Sequence, residues 1–127
     1  MKKTSFHILR VGMAITFLWI GVLIFKEPEA WSGYIQPWAV GLLPGSLEQA
    51  MISTAILDIL IGLLLLIDRW VWIAALVGTI HLVIVLAVSG ITDITVRDIG
   101  LLAGTVALMA DSLPPYIINK LKTKKHE

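Results

Sequence analysis

The run MISTAILDILIGLLLLI, residues 51–67, limits this chain more than any other stretch. Seventeen residues at helical rise cover about 25 Å, close to the thickness of a bilayer's hydrocarbon core. One carboxylate, Asp58, interrupts it near the middle. A charge at that depth costs at least about 2.5 kcal/mol on insertion scales, so it needs a partner or a wet cavity. The rest of the chain is expected to be a lipid-soluble frame around that acid.

Composition agrees. The chain has 127 residues, 57% of them hydrophobic and 15% charged, with a mean hydropathy of +0.89. Soluble chains carry nearer to about 25% charged residues. The length suits a single membrane domain over 1–127, built as an all-α bundle of about four spanning helices. The absence of cysteine excludes disulfides, thiol redox chemistry and thiolate-ligated iron–sulfur clusters.

The spans are expected at about 7–25, 47–67, 70–88 and 97–111. The first begins like a signal peptide, but FKEPEA follows its apolar run where a small-residue cleavage site would stand, so an uncleaved helix is favoured. Its apolar stretch is short, and Arg10 and Lys26 are expected to snorkel from its two ends. Between the first two spans, Pro28, Gly33, Pro37, Pro44 and Gly45 rule out another crossing and leave a short interfacial segment. There Trp31, Tyr34 and Trp38 recur at spacings of three and four, as on one face of a short helix or turn. They would either rest at headgroup level or form a lid over the bundle's mouth. Asp68-Arg69-Trp70 reads as a tight turn, and Pro114-Pro115 stops the last span. The basic tail, 114–127, is expected to be frayed or to lie on the membrane surface. It suits anionic lipid headgroups far better than nucleic acid.

Charge sets the expected orientation. With both termini cytoplasmic, the inner side holds Lys2, Lys3, Arg10, Arg69, Lys120, Lys122, Lys124 and Lys125, and the outer side only Lys26 and Arg97. Such an excess follows the positive-inside rule. Small residues at Gly100, Gly104 and Ala107, and at Ala74 and Gly78, are expected to let the later helices approach closely.

That topology collects ionisable groups in the outer half. Asp58 descends about 15 Å from the outer surface and His81 lies about 10 Å below it. Arg97, Asp98 and Glu48 stand at the rim. Two roles are open for them. Asp58 could pair with His81 or Thr79, and Arg97 with Asp98, Asp93 or Glu48, as polar glue. Alternatively, Asp58 and His81 are candidate catalytic or proton-exchanging groups, since histidine titrates near neutrality and intramembrane ionisable residues are functional candidates. With Arg97, Asp98, Trp31 and Trp38 they form the candidate ligand-binding set. No metal site is expected, no intrinsic cofactor, and no nucleic-acid partner. A single intramembrane histidine cannot supply two axial haem ligands. A self-contained catalyst is not expected.

Several motifs, taken in order, resemble the DoxX family of small four-helix membrane proteins of bacteria and archaea. They are Leu9-Arg10 entering the first helix, PEAWSGYIQPW after it, LDILIGLLLL, His81-Leu82, and VRDIGLL opening the fourth. The sequence departs from the family where Asp58 stands for a more frequent Glu, and where Ile67 or Asp68 stands for a Gly. The shorter acid reaches less far. Relatives include a membrane subunit of a thiosulfate:quinone oxidoreductase and partners of oxidoreductase complexes tied to oxidative-stress resistance. The resemblance therefore implies a quinone-interacting or scaffolding subunit beside a soluble or membrane redox partner. A homo-oligomeric carrier or pore for small solutes or lipid-like ligands, and a purely structural membrane protein, are the alternatives.

Overall fold

A computed structural model describes residues 1–126; Glu127, the last residue of the basic tail, lies outside them. Regular structure among the described residues is helical throughout. In chain order the helices are α1 (Lys3–Lys26), α2 (Pro28–Ser32), α3 (Pro37–Val40), α4 (Leu47–Leu66), α5 (Val71–Ser89), α6 (Arg97–Ser112) and α7 (Pro115–Lys125).

Local chemistry fixes most of these ends. Ser46 and Gln49 form a reciprocal capping box at the start of α4. The Ser46 hydroxyl accepts from the Gln49 amide at 3.1 Å, and Gln49 Oε1 accepts from the Ser46 amide at 3.1 Å. At its other end, Asp68 (φ 58°) and Trp70 (φ 49°) take left-handed backbone and turn the chain straight into α5. Aspartate tolerates that conformation better than most side chains. It is also the place where the resemblance led us to expect a glycine. Gly90, at φ 71°, closes α5.

Three helices, α1, α4 and α5, are long and apolar enough to cross a membrane. A fourth crossing exists if α6 and α7 count together, although the two are bent by 92° at Pro114. α1 is longer than the sequence suggested, 24 residues, because the basic N-terminal stretch is itself helical. The tail is not frayed; its described part is the helix α7.

The four long helices pack in a ring, α1 on α4, α4 on α5, α5 on α6 and α6 on α1. The tightest seam is α1 against α4. A Cβ on Gly62 would lie 2.9 Å from the Leu18 amide nitrogen and 3.0 Å from the Ala14 carbonyl oxygen, and one on Gly21 would lie 3.0 Å from the Ala55 carbonyl oxygen. Ala14 and Ala55 are fully buried in the same seam. Between α5 and α6, Gly78 faces Thr105, and the Thr79 hydroxyl donates to Thr105 Oγ1 at 2.9 Å. The expected stripe on the fourth helix is only half used: Gly104 meets Met13, while Gly100 faces open space. Ala74, Gly78 and Gly104 pack as anticipated, but the closest backbone approach falls on α1 and α4, which the small-residue pattern did not mark.

Arg10 corrects a second expectation. Its guanidinium does not snorkel outward; the residue is 9% exposed. Nη1 donates to the carbonyls of Leu65 (2.6 Å) and Leu66 (3.0 Å), and Nε donates to His7 Nδ1 at 3.1 Å. Asp68 Oδ1 lies 3.6 Å from the same Nε. A cation thus satisfies the free carbonyls at the C-terminus of α4, where the helix dipole favours it. Arg10→Ala should lower the stability of the detergent-purified protein by about 2 kcal/mol, because two carbonyls lose a charged donor. Arg10→Lys should recover only part of that in thermal unfolding, since one ammonium cannot reproduce the planar fork.

Candidate functional site

A cavity of about 350 Å³ lies toward one end of the ring, lined from all four long helices. This is the end where α1 and α5 finish and where α4 and α6 begin. The segment 27–46 crosses it. Phe17, Ile20 and Ile24 from α1, Met51 from α4, Leu82 and Val85 from α5 and Leu101 from α6 make the walls apolar.

At the floor, Nε2 of His81 sits 3.1 Å from Oδ1 of Asp58. Asp58 is 4% exposed. The pair arises because α4 descends and α5 ascends around one tight turn, which brings positions 58 and 81 to the same height on adjacent helices. Thr79, the alternative partner, is turned away toward Thr105 and donates also to the Ala75 carbonyl. The floor can donate a proton from imidazole or accept one at the carboxylate. The imidazole can donate to a ligand's carbonyl, and either group can hydrogen-bond a ligand's hydroxyl, in an otherwise apolar space.

Arg97 and Asp98 stand at the start of α6 and also line the cavity. Arg97 makes no ion pair with Asp98, Asp93 or Glu48 among the described residues; its Nε donates to the Ile94 carbonyl at 3.1 Å. Glu48 is not part of the lining. Thr92 and Thr95 shape the loop that presents these two residues. The buried Thr95 hydroxyl donates to the Gly90 carbonyl at 2.6 Å and accepts from the Thr92 amide at 2.7 Å.

The roof comes from the 27–46 segment. Trp31, Tyr34, Ile35 and Leu43 line the cavity, with the Trp31 and Tyr34 rings 5.9 Å apart. Trp38 does not join them. It belongs to α3 and is 56% exposed, and its indole N–H donates to Gln36 Oε1. The expected alignment of three aromatics fails because the chain breaks between α2 and α3, so the spacing holds from Trp31 to Tyr34 and does not carry on to Trp38.

Gln36 fastens this roof to the bundle. Its amide donates to the Val88 carbonyl at 2.9 Å, and its side-chain Nε2 donates to the Ser89 carbonyl at 3.4 Å. A Cβ on Gly90 would collide with that side-chain amide, so glycine serves both the left-handed turn and the close approach. Nothing in the spacing of Gln36 marks it. The Thr92/Thr95 pair, by contrast, has the serine/threonine pattern that organises turns ahead of a helix, and was readable.

Five of the six candidate ligand-binding residues, Asp58, His81, Arg97, Asp98 and Trp31, therefore meet at one cavity. No curated protein and no solved structure matches the chain. The model of the DoxX family matches residues 5–90, a stretch that runs from α1 to the end of α5. It takes in the floor pair and the roof but stops short of Arg97 and Asp98. Together with the apolar helices, this match shows an integral membrane protein that belongs to the DoxX family.

Proposed function

We propose that this DoxX protein crosses a prokaryotic plasma membrane four times, with both termini cytoplasmic. In this reading it acts as a quinone-interacting or scaffolding subunit of a membrane-associated oxidoreductase system. The orientation rests on charge. Lys2, Lys3, Arg10 and Arg69 stand at the end opposite the cavity, as do the lysines of α7, whereas Lys26 and Arg97 stand at the cavity end.

The observation that carries the ligand assignment is the Asp58–His81 contact at the floor of an apolar cavity. Small-molecule sites typically enclose about 300–1,000 Å³ and place a few polar groups among apolar walls. A volume of about 350 Å³ suits one substituted ring. A quinone ring presents a carbonyl oxygen that imidazole can hydrogen-bond, and it takes up protons on reduction. His81 is the donor to that oxygen, Asp58 stands beside it at 3.1 Å to orient the imidazole and exchange a proton with it, and Trp31 and Tyr34 offer aromatic faces above them.

The test is a quinone titration on detergent-purified protein, wild type beside Asp58→Asn. Saturable binding that weakens at least about tenfold in the variant is expected, because the imidazole loses the carboxylate that orients it toward the ligand. Absence of saturable binding in the wild type would sink the quinone reading and favour a scaffold or a solute carrier. Equal binding by both proteins would remove Asp58 from the site.

A further inference from the structure

α7 belongs to neither the cavity nor the bundle. It leaves α6 at 92°, so it runs across the end of the ring and not along it. It does not pack along any other helix. Its sequence, PYIINKLKTKK, carries Lys120, Lys122, Lys124 and Lys125, all exposed, and no acidic residue. An isolated helix of fewer than about 12–15 residues is marginal in water, and α7 has 11. The chain itself half-buries Ile117 and Ile118 at its start, but residues 119–125 are exposed, and contact with something outside the chain would steady that outer part.

Its pattern says what. At helical spacing Ile117, Ile118 and Leu121 share one side. Lys120 and Lys124 border that side on one edge and Lys122 on the other. Lys125, the last residue of the helix, falls on the apolar side, from which a long stem can lift its ammonium group to the headgroups. Apolar side chains flanked by lysines are the arrangement of a helix lying in a bilayer interface, with stems buried and ammonium groups lifted to the headgroups. The location agrees. The Met1 amino group contacts Asp111 Oδ1 at 2.9 Å, which ties the start of α1 to the end of α6. Exposed Lys2, Lys3 and Arg69 thus stand at the same end as α7. Opposite charge at that surface is supplied by lipid phosphates.

We propose that α7 is an interfacial foot that docks on anionic phospholipid headgroups, and that its helix is stabilised by them. This assignment is independent of the quinone reading, since it concerns the opposite end of the molecule, but it rests on the four-crossing reading with the 16 residues of α6 alone as the fourth span.

The test places the full-length protein in nanodiscs of phosphatidylcholine alone or of phosphatidylcholine with phosphatidylglycerol, and follows amide hydrogen exchange over residues 116–125. Exchange should slow at least about tenfold in the anionic discs, given the attraction of each lysine to such a surface. Combining Lys120→Gln, Lys122→Gln, Lys124→Gln and Lys125→Gln should erase the difference, while exchange in α4 stays unchanged and reports an intact bundle. Equal protection in both compositions, or a difference that survives in the variant, would overturn the proposal. So would protection produced in phosphatidylcholine discs by inorganic phosphate, which would assign the lysines to a free anion. Protection that depends on protein loading and not on lipid would assign α7 to a second copy of the chain.

Discussion

Gly62→Leu should abolish the folded bundle or leave it far less stable than the wild type. Even the first carbon of a side chain at position 62 would lie 2.9 Å from a backbone nitrogen and 3.0 Å from a backbone oxygen of α1. Those atoms belong to a helix and cannot swing aside, so the only relief is to move α1 as a whole. Moving it would open the seam that buries Ala14 and Ala55. Overpacking costs about 1–3 kcal/mol where side chains can yield; here they cannot, and the upper end or more is expected. Membrane helices have little hydrophobic drive toward one another, so close backbone approach is what holds such a pair together. Gly100→Ala is the matched control. A Cβ added at that glycine would meet nothing within 4 Å, and the substitution should leave the melting temperature unchanged in detergent. Equal losses at both positions would mean that helix–helix distance is not what Gly62 protects.

The contrast between these glycines marks where the sequence was readable and where it was not. The apolar runs around Asp58 and His81 are long and bounded by prolines, glycines and charges, so their helices could be placed from hydropathy alone. The meeting of Asp58 with His81 was also legible, because one tight turn at 67–70 sets the relative height of two antiparallel helices. Which glycines face a neighbour was not, since that depends on how each helix is rotated, and a nearly uniform apolar helix carries little signal of rotation. Gly78 and Gly104 face neighbours as expected and Gly100 does not, while the tightest backbone contacts belong to Gly21 and Gly62, which no pattern singled out. Arg10 misled for a related reason. From sequence it was a cation near a helix end, free to reach for water. Only the fold reveals that the last carbonyls of α4 arrive beside it and need a donor. Trp38 failed because helical spacing was carried across a break in the helix. Gln36 was missed because its partners lie on α5, more than fifty residues away along the chain.

The floor pair raises a sharper question, whether Asp58 and His81 hold the bundle together or hold a ligand, and a double-mutant cycle answers it. His81→Gln alone should cost about 2 kcal/mol, since the glutamine amide can still donate to Asp58 but cannot carry the proton that the pair shares. Asp58→Asn alone should cost less, because the amide can still meet the imidazole. Combining Asp58→Asn with His81→Gln leaves two neutral amides of similar size that can hydrogen-bond one another. Stability in the double variant should therefore return to within about 1 kcal/mol of the wild type, with a coupling energy of about 1–3 kcal/mol for a pair in contact. If the pair serves a ligand, quinone binding stays lost in the double variant although the fold is restored, because neither amide exchanges a proton. Binding that recovers along with stability would make Asp58 and His81 structural partners, and the ligand would then be held by the aromatic roof and the apolar walls.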